Sequence, residues 1–137
     1  MWRGLLTAIF LLANATQFFI LVGATYAEWV LVAQSVQGVT VYMHDEEIHQ
    51  KGDTVRVWNL YDYRIAQSAG GSFYLSATVQ EEYDCIGQRV RTLAVIGYPQ
   101  HMGNGDIVFR DSDMGKWEPI VPDSLSKALS KLACAKK

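Results

Sequence analysis

The run Ser72-Phe73-Tyr74-Leu75-Ser76-Ala77-Thr78-Val79-Gln80-Glu81-Glu82-Tyr83-Asp84-Cys85 decides the fold class. Phe73, Leu75, Ala77, Val79, Tyr83 and Cys85 share one parity, while Ser72, Tyr74, Ser76, Thr78 and Gln80 share the other. Successive side chains of a strand point to opposite faces, so this period of two predicts a strand with one dry and one wet face. Glu81 is the misfit on the dry parity, and either a bulge or the strand's exposed end would accommodate it.

Working outward, the same alternation, rich in β-branched and aromatic residues, recurs at 29–32, 39–43, 54–60 and 89–96. Gln37-Gly38 joins the first two of these, and Lys51-Gly52-Asp53 turns into the third. Asn104-Gly105 is the strongest hairpin dipeptide and predicts a sixth strand over 105–109. Connections this short imply antiparallel neighbours. The period changes only after Pro122, where Asp123 or Ser124 can cap a helix whose Leu125, Ala128, Leu129 and Leu132 fall at i, i+3, i+4 and i+7. The expected class is therefore α+β: a single six-stranded antiparallel sheet whose dry face is covered by one C-terminal helix.

The N-terminus carries Met1, Trp2 and Arg3 ahead of a mostly apolar run from Gly4 to Gly23, then Gly23-Ala24-Thr25-Tyr26-Ala27. This is the layout of a secretory signal, with small residues placed for cleavage after Ala27. Retention as an anchor is the alternative, weakened by Asn14 and Gln17 within the run. Residues 1–27 are thus expected to be a signal peptide and 28–137 one domain, about 110 residues being the size of a single core. The expected location is exported, periplasmic or secreted. No cysteine stands at the expected cleavage site, so the chain is not expected to be a lipoprotein or to keep a membrane anchor once cleaved.

The net charge of the chain is −2, and loss of Arg3 makes it slightly more negative. Such mild acidity argues against a nucleic-acid partner. The two cysteines, Cys85 and Cys134, would meet an oxidising compartment and are read as a disulfide. Cys134 lies just past the helix stripe and somewhat off it, so the bond is expected to loosen the last turn. No Cys-x-x-Cys spacing or neighbouring histidine marks either as a reactive thiol.

Chemistry-bearing residues are sparse. His44-Asp45-Glu46-Glu47-Ile48-His49 collects metal-ligand types, but at a spacing unsuited to a helix face, so a solvated acidic loop is expected and no metal. His101 stands alone beside the predicted hairpin. Neither a nucleophile motif nor a nucleotide loop is present, and Gly103-Asn104-Gly105 reads as a turn. Glu81 and Glu82 cannot flank one bond, because neighbours in a strand diverge. No enzymatic activity and no cofactor are expected. Lys51-Gly52-Asp53 is similar to an integrin-recognised tripeptide and equally an ordinary turn. Trp29, Trp58 and Trp117, with Tyr61 and Tyr63, read either as core and strand-pair residues or as a binding face.

Four segments resemble the surface-adhesin protein E family of Gram-negative bacteria: Val41-Tyr42-Met43-His44-Asp45-Glu46-Glu47-Ile48, Glu82-Tyr83-Asp84-Cys85, Gly103-Asn104-Gly105, and Pro122-Asp123-Ser124 through Leu132-Ala133-Cys134-Ala135. The resemblance spans the expected mature domain. It implies a six-stranded antiparallel sheet with a C-terminal helix pinned to it by a disulfide, here Cys85 to Cys134. It also implies binding of host extracellular-matrix or serum proteins and pairing as a homodimer. The family's adhesin is a surface lipoprotein, whereas the residue expected after cleavage here is Glu28. A periplasmic structural or envelope-interaction role without adhesion is therefore the alternative.

A partner surface follows from strand parity. Arg89 and Arg91 share a parity opposite to Val90, Ala94 and Ile96, and Arg56 lies near Trp58. If Val90, Ala94 and Ile96 face the helix, Arg56, Arg89 and Arg91 form a basic, aromatic-flanked open face suited to protein contacts. Otherwise the arginines solvate that face and pair with neighbouring carboxylates.

Overall fold

The computed structural model describes residues 29–136. The expected signal segment, 1–27, lies outside the described residues. One antiparallel sheet contains β1 (Trp29–Gln34), β2 (Val39–His44), β3 (His49–Lys51), β4 (Thr54–Ala69), β5 (Ser72–Asp84), β6 (Arg89–Tyr98), β7 (Phe109–Asp111) and β8 (Glu118–Pro119), and the chain closes with α1 (Leu125–Ala135). The order across the sheet is β1-β2-β4-β5-β6-β7, with β3 paired to β4 and β8 to β6. The α+β class holds, but the sheet has eight strands rather than six. The two unforeseen strands, β3 and β8, are too short to show any alternation.

Two further boundaries differ from expectation. β4 continues past Leu60 to Ala69, because Tyr61, Tyr63 and Ile65 sustain the alternation and Gly70-Gly71 turn the chain back into β5. Both glycines have positive φ, 57° and 82°, as a two-residue hairpin turn requires. The predicted strand 105–109 is instead mostly loop, and pairing resumes only at Phe109. A 3-10 turn, His101–Gly103, folds over the sheet here. Ser76 Oγ donates to the Gln100 carbonyl at 2.6 Å and accepts from the Gly103 N–H at 2.9 Å, above a fully buried Leu60. These tertiary bonds override the local hairpin preference of Asn104-Gly105.

The core sits between the sheet and α1, where Val41, Met43, Val55, Val57 and Tyr83 meet Leu129 and Ala133. Leu125 and Leu132 pack at its margin. The buried stripe is therefore rotated slightly from the expected one, with Ala133 on the core in place of Ala128. Full burial of Leu129 contributes about 2 kcal/mol. Ser124 caps the helix, its Oγ accepting from the Lys127 N–H at 3.2 Å, while Asp123 occupies φ 60° just before it.

Cys85 and Cys134 are bonded, with their Cα atoms 5.9 Å apart. The last helical turn does not loosen: Cys134 lies inside α1, which runs on to Ala135. Cys85 lies beyond the end of β5, in the turn leading to β6, and so reaches the helix flank from outside the strand.

A bulge does lie opposite Glu81, but it is in the partner strand and leaves Glu81 on the dry face, where Tyr61 and Asn59 donate to it. Gln80 pairs with Ala94 and Glu81 with Thr92, leaving Leu93 as the extra residue of β6. The helix does not span the whole dry face. It contacts β1, β4 and β5, and the face continues beyond it as Tyr61, Tyr63, Val79 and Val95.

Candidate functional site

On the face opposite the helix, antiparallel register lines up Arg56, Glu82 and Arg91 in one row across β4, β5 and β6. Arg56 Nε donates to Glu82 Oε2 at 2.5 Å, and Arg91 meets Oε1 through Nε at 2.8 Å and Nη2 at 2.6 Å. Glu82 is only 2% exposed. Burial alone would raise its pKa, but the hydrogen bonds and charges of Arg56 and Arg91 hold the carboxyl below its ordinary value. In the next row Arg89 Nε lies 2.8 Å from Asp84 Oδ2. The Gly87 N–H first, then the Arg89 guanidinium, hold the Asp84 carboxyl low.

Trp117, in the segment between β7 and β8, completes the cluster. β8 pairs with the start of β6, Glu118 opposite Val90, and this brings the indole beside both arginines. The Arg89 and Arg91 guanidinium carbons lie 4.6 and 4.3 Å from its ring centre. Three arginines against two carboxylates leave one net positive charge. Side-chain exposure is 48% for Arg89, 38% for Arg56 and 21% for Arg91. The arginines are thus both paired with carboxylates and presented at the surface, so the two readings of the sequence do not exclude one another.

Strand parity places the arginines as expected but not all of the apolar residues opposite them. Val90 packs against the core, so Arg89 and Arg91 do project from the open face. Ala94 and Ile96 do not accompany Val90, because the Leu93 bulge inverts the alternation between them. Ile96 instead lines an open-face hollow of about 200 Å³ with Trp29, His44, Glu47, Trp58 and Thr78. Trp29 stands edge-on to His44 with ring centres 5.2 Å apart, and His44 Nδ1 is buried without a partner among the described residues. The open face therefore joins an aromatic hollow to an arginine cluster.

The other singled-out residues separate. Tyr61 and Tyr63 lie on the helix side, away from the tryptophans. His44 ends β2 and His49 begins β3, and among the described residues no three His, Cys, Asp or Glu side chains converge as metal ligands. Lys51-Gly52-Asp53 is the exposed turn between β3 and β4, with Gly52 at φ 61°. His101 Nδ1 lies 2.9 Å from Asp62 Oδ1 at the 3-10 turn. No described helix is long and apolar enough to cross a membrane. The parts that sequence reasoning missed, Glu82 as the anchor of two arginines and Trp117 between Arg89 and Arg91, depend on strand register; Glu82's parity opposite Tyr83 was the one available signal.

Comparison with known proteins agrees with this architecture. The family model for surface-adhesin protein E matches residues 29–135. No curated protein matches the chain. Among solved structures, crystal form II of Haemophilus influenzae protein E superposes with a TM-score of 0.61 at 13% identity, covering 81% of this chain and 90% of that one. A second structure of H. influenzae protein E gives 0.60 at 13% identity, covering 81% and 86%. Protein E from non-typeable H. influenzae gives 0.57 at 12% identity, covering 80% and 77%. At these identities the likeness is one of fold.

Proposed function

The chain belongs to the surface-adhesin protein E family, and on that premise we propose that it is an exported, non-enzymatic protein-binding module whose contacts lie on the open face around Arg56, Arg89 and Arg91. Its ligand is a host extracellular-matrix or serum protein, and the mature domain, 28–137, follows cleavage after Ala27. The observation that carries this reading is the clasp of Arg89 and Arg91 on Trp117, braced from below by Glu82 and Asp84. Arginine and tryptophan are the residues most enriched at energetic centres of protein interfaces. Here their side chains are already held in place, which lowers the ordering cost of association.

Binding of the purified protein to immobilised matrix and serum proteins, followed by interferometry at several salt concentrations, tests the reading. Arg89→Glu/Trp117→Leu is expected to slow association and flatten its salt dependence in a folded variant. Unchanged kinetics would move the contacts to another surface. Retention by envelope proteins, with no binding to matrix or serum proteins, would replace adhesion by an envelope role.

A further inference from the structure

The opposite face of the sheet holds a second, chemically different feature. Where α1 stops covering the sheet, Tyr61, Tyr63, Tyr74, Val79 and Val95 border a hollow of about 250 Å³ that also reaches Glu81. The Tyr63 and Tyr74 rings meet at 82° with centres 5.7 Å apart, and Phe109 backs Tyr74 at 5.0 Å. Two aromatic walls at right angles thus stand beside a carboxylate that is 5% exposed.

Glu81 lacks what its neighbour Glu82 has. Its Oε1 accepts from the Tyr61 hydroxyl at 2.5 Å and from Asn59 Nδ2 at 3.1 Å. Both donors go to Oε1, no donor to Oε2 is found among the described residues, and Glu81 is one of the residues that line the hollow. Arg91 and Lys116 border an adjoining hollow that Glu81 also reaches, yet no described cation forms an ion pair with Glu81. Burial holds the Glu81 carboxyl above its ordinary value, the Tyr61 and Asn59 hydrogen bonds offsetting only part of that rise. Burial, then Tyr74 and Glu81, push the Tyr63 hydroxyl up to about 12, so the phenol stays neutral beside the acid. A carboxylate buried without a cation is costly to keep charged, so it either takes up a proton or gains from a cation brought beside it.

We propose that this hollow binds a small organic cation of the alkylammonium class, with the charge toward Glu81 and the alkyl groups in the corner where the Tyr63 and Tyr74 rings meet. Aromatic faces attract such cations through their quadrupoles, and a neighbouring carboxylate adds direct charge complementarity. The volume is adequate, since a cavity of about 150 Å³ already admits benzene. The site is independent of the arginine face, on the other side of the sheet.

Amide and tyrosine-ring NMR titration of the purified protein tests this, with choline, butylammonium and the neutral choline isostere 3,3-dimethyl-1-butanol as probes. Saturable shifts around Tyr63, Tyr74 and Glu81 are expected with the cations, the neutral probe binding at least about tenfold more weakly. Glu81→Gln keeps an oxygen for Tyr61 and Asn59 and is expected to weaken cation binding by a similar factor. Tyr63→Leu/Tyr74→Leu, distant from that hydrogen-bond pair, is expected to abolish the preference for choline over the neutral probe. Equal binding of the neutral probe, unchanged binding by both variants, or no saturable shift with either cation overturns the proposal. Binding of a lysine-bearing peptide but of neither free cation would overturn the small-molecule assignment in favour of a protein ligand.

Discussion

Glu81 and Glu82 are adjacent in β5 yet lie on opposite sides of the sheet, Glu81 against Tyr61 and Asn59, Glu82 between Arg56 and Arg91. Two identical side chains one residue apart are thereby driven in opposite directions, the first away from ionisation by burial and the second toward it by two guanidinium groups. Neither can assist the other chemically, since the sheet lies between them.

The acid response of stability should separate the two. The folded Glu82 carboxyl lies below its unfolded value of ~4.3, so its contribution is fully present above that value and is lost as pH falls through the folded one. Glu82→Gln should unfold about 2 kcal/mol more easily at pH 7 and converge with the parent in strong acid. Urea unfolding across pH measures this, and equal stability at neutral pH would deny the arginine row any stabilising role.

For Glu81 the sign is reversed. Its folded value is raised, so stability falls as pH climbs from the ordinary carboxylate range through the raised value. Glu81→Gln should remove that decline, leaving a flatter stability profile over this window. A variant that still declines with the parent's slope would point to another group.

Reduction of Cys85–Cys134 should cost about 4 kcal/mol, because the bond closes a loop spanning 49 positions. Unfolding with and without reductant measures the loss. Titration of the denatured, unreduced protein should find no thiol, and two free thiols would contradict the pairing.

Leu129 is fully buried where α1 meets the sheet. Leu129→Ala should destabilise by about 2–5 kcal/mol through lost burial and the cavity left behind. A melting temperature close to the parent's would mean that α1 contributes little to the core.

Gly97 admits the Phe109 ring directly over its backbone, where a Cβ would overlap the ring atoms. Gly97→Ala should therefore displace Phe109 and loosen β7 from β6, costing about 1–3 kcal/mol. Faster amide exchange at Phe109 and Arg110, with β4 and β5 unchanged, is the expected signature. Unaltered exchange would show that the ring has another place to go.

Much of this architecture was legible because it is written in local periods. The alternation of 72–85, the switch to a helical period after Pro122 and the single cysteine pair lead to a sheet, a covering helix and a clasp between them. Register is different in kind. The polar end of β4, from Gln67 to Ala69, becomes strand through its pairing with β5, and Glu118–Pro119 becomes strand only by lying beside Arg89 and Val90.

The α+β class and the opposition of Arg89 and Arg91 to Val90 follow from the amino-acid order alone, because the periods are local and neighbouring strand residues must face opposite ways. The company those arginines keep was settled by tertiary structure. Leu93 bulges out of the β5–β6 pairing and inverts the alternation, which carries Ile96 to the open face, while Glu81 comes to rest on the helix face beside the tyrosines. A bulge of one residue is a property of two paired strands together, and neither strand's own sequence contains it.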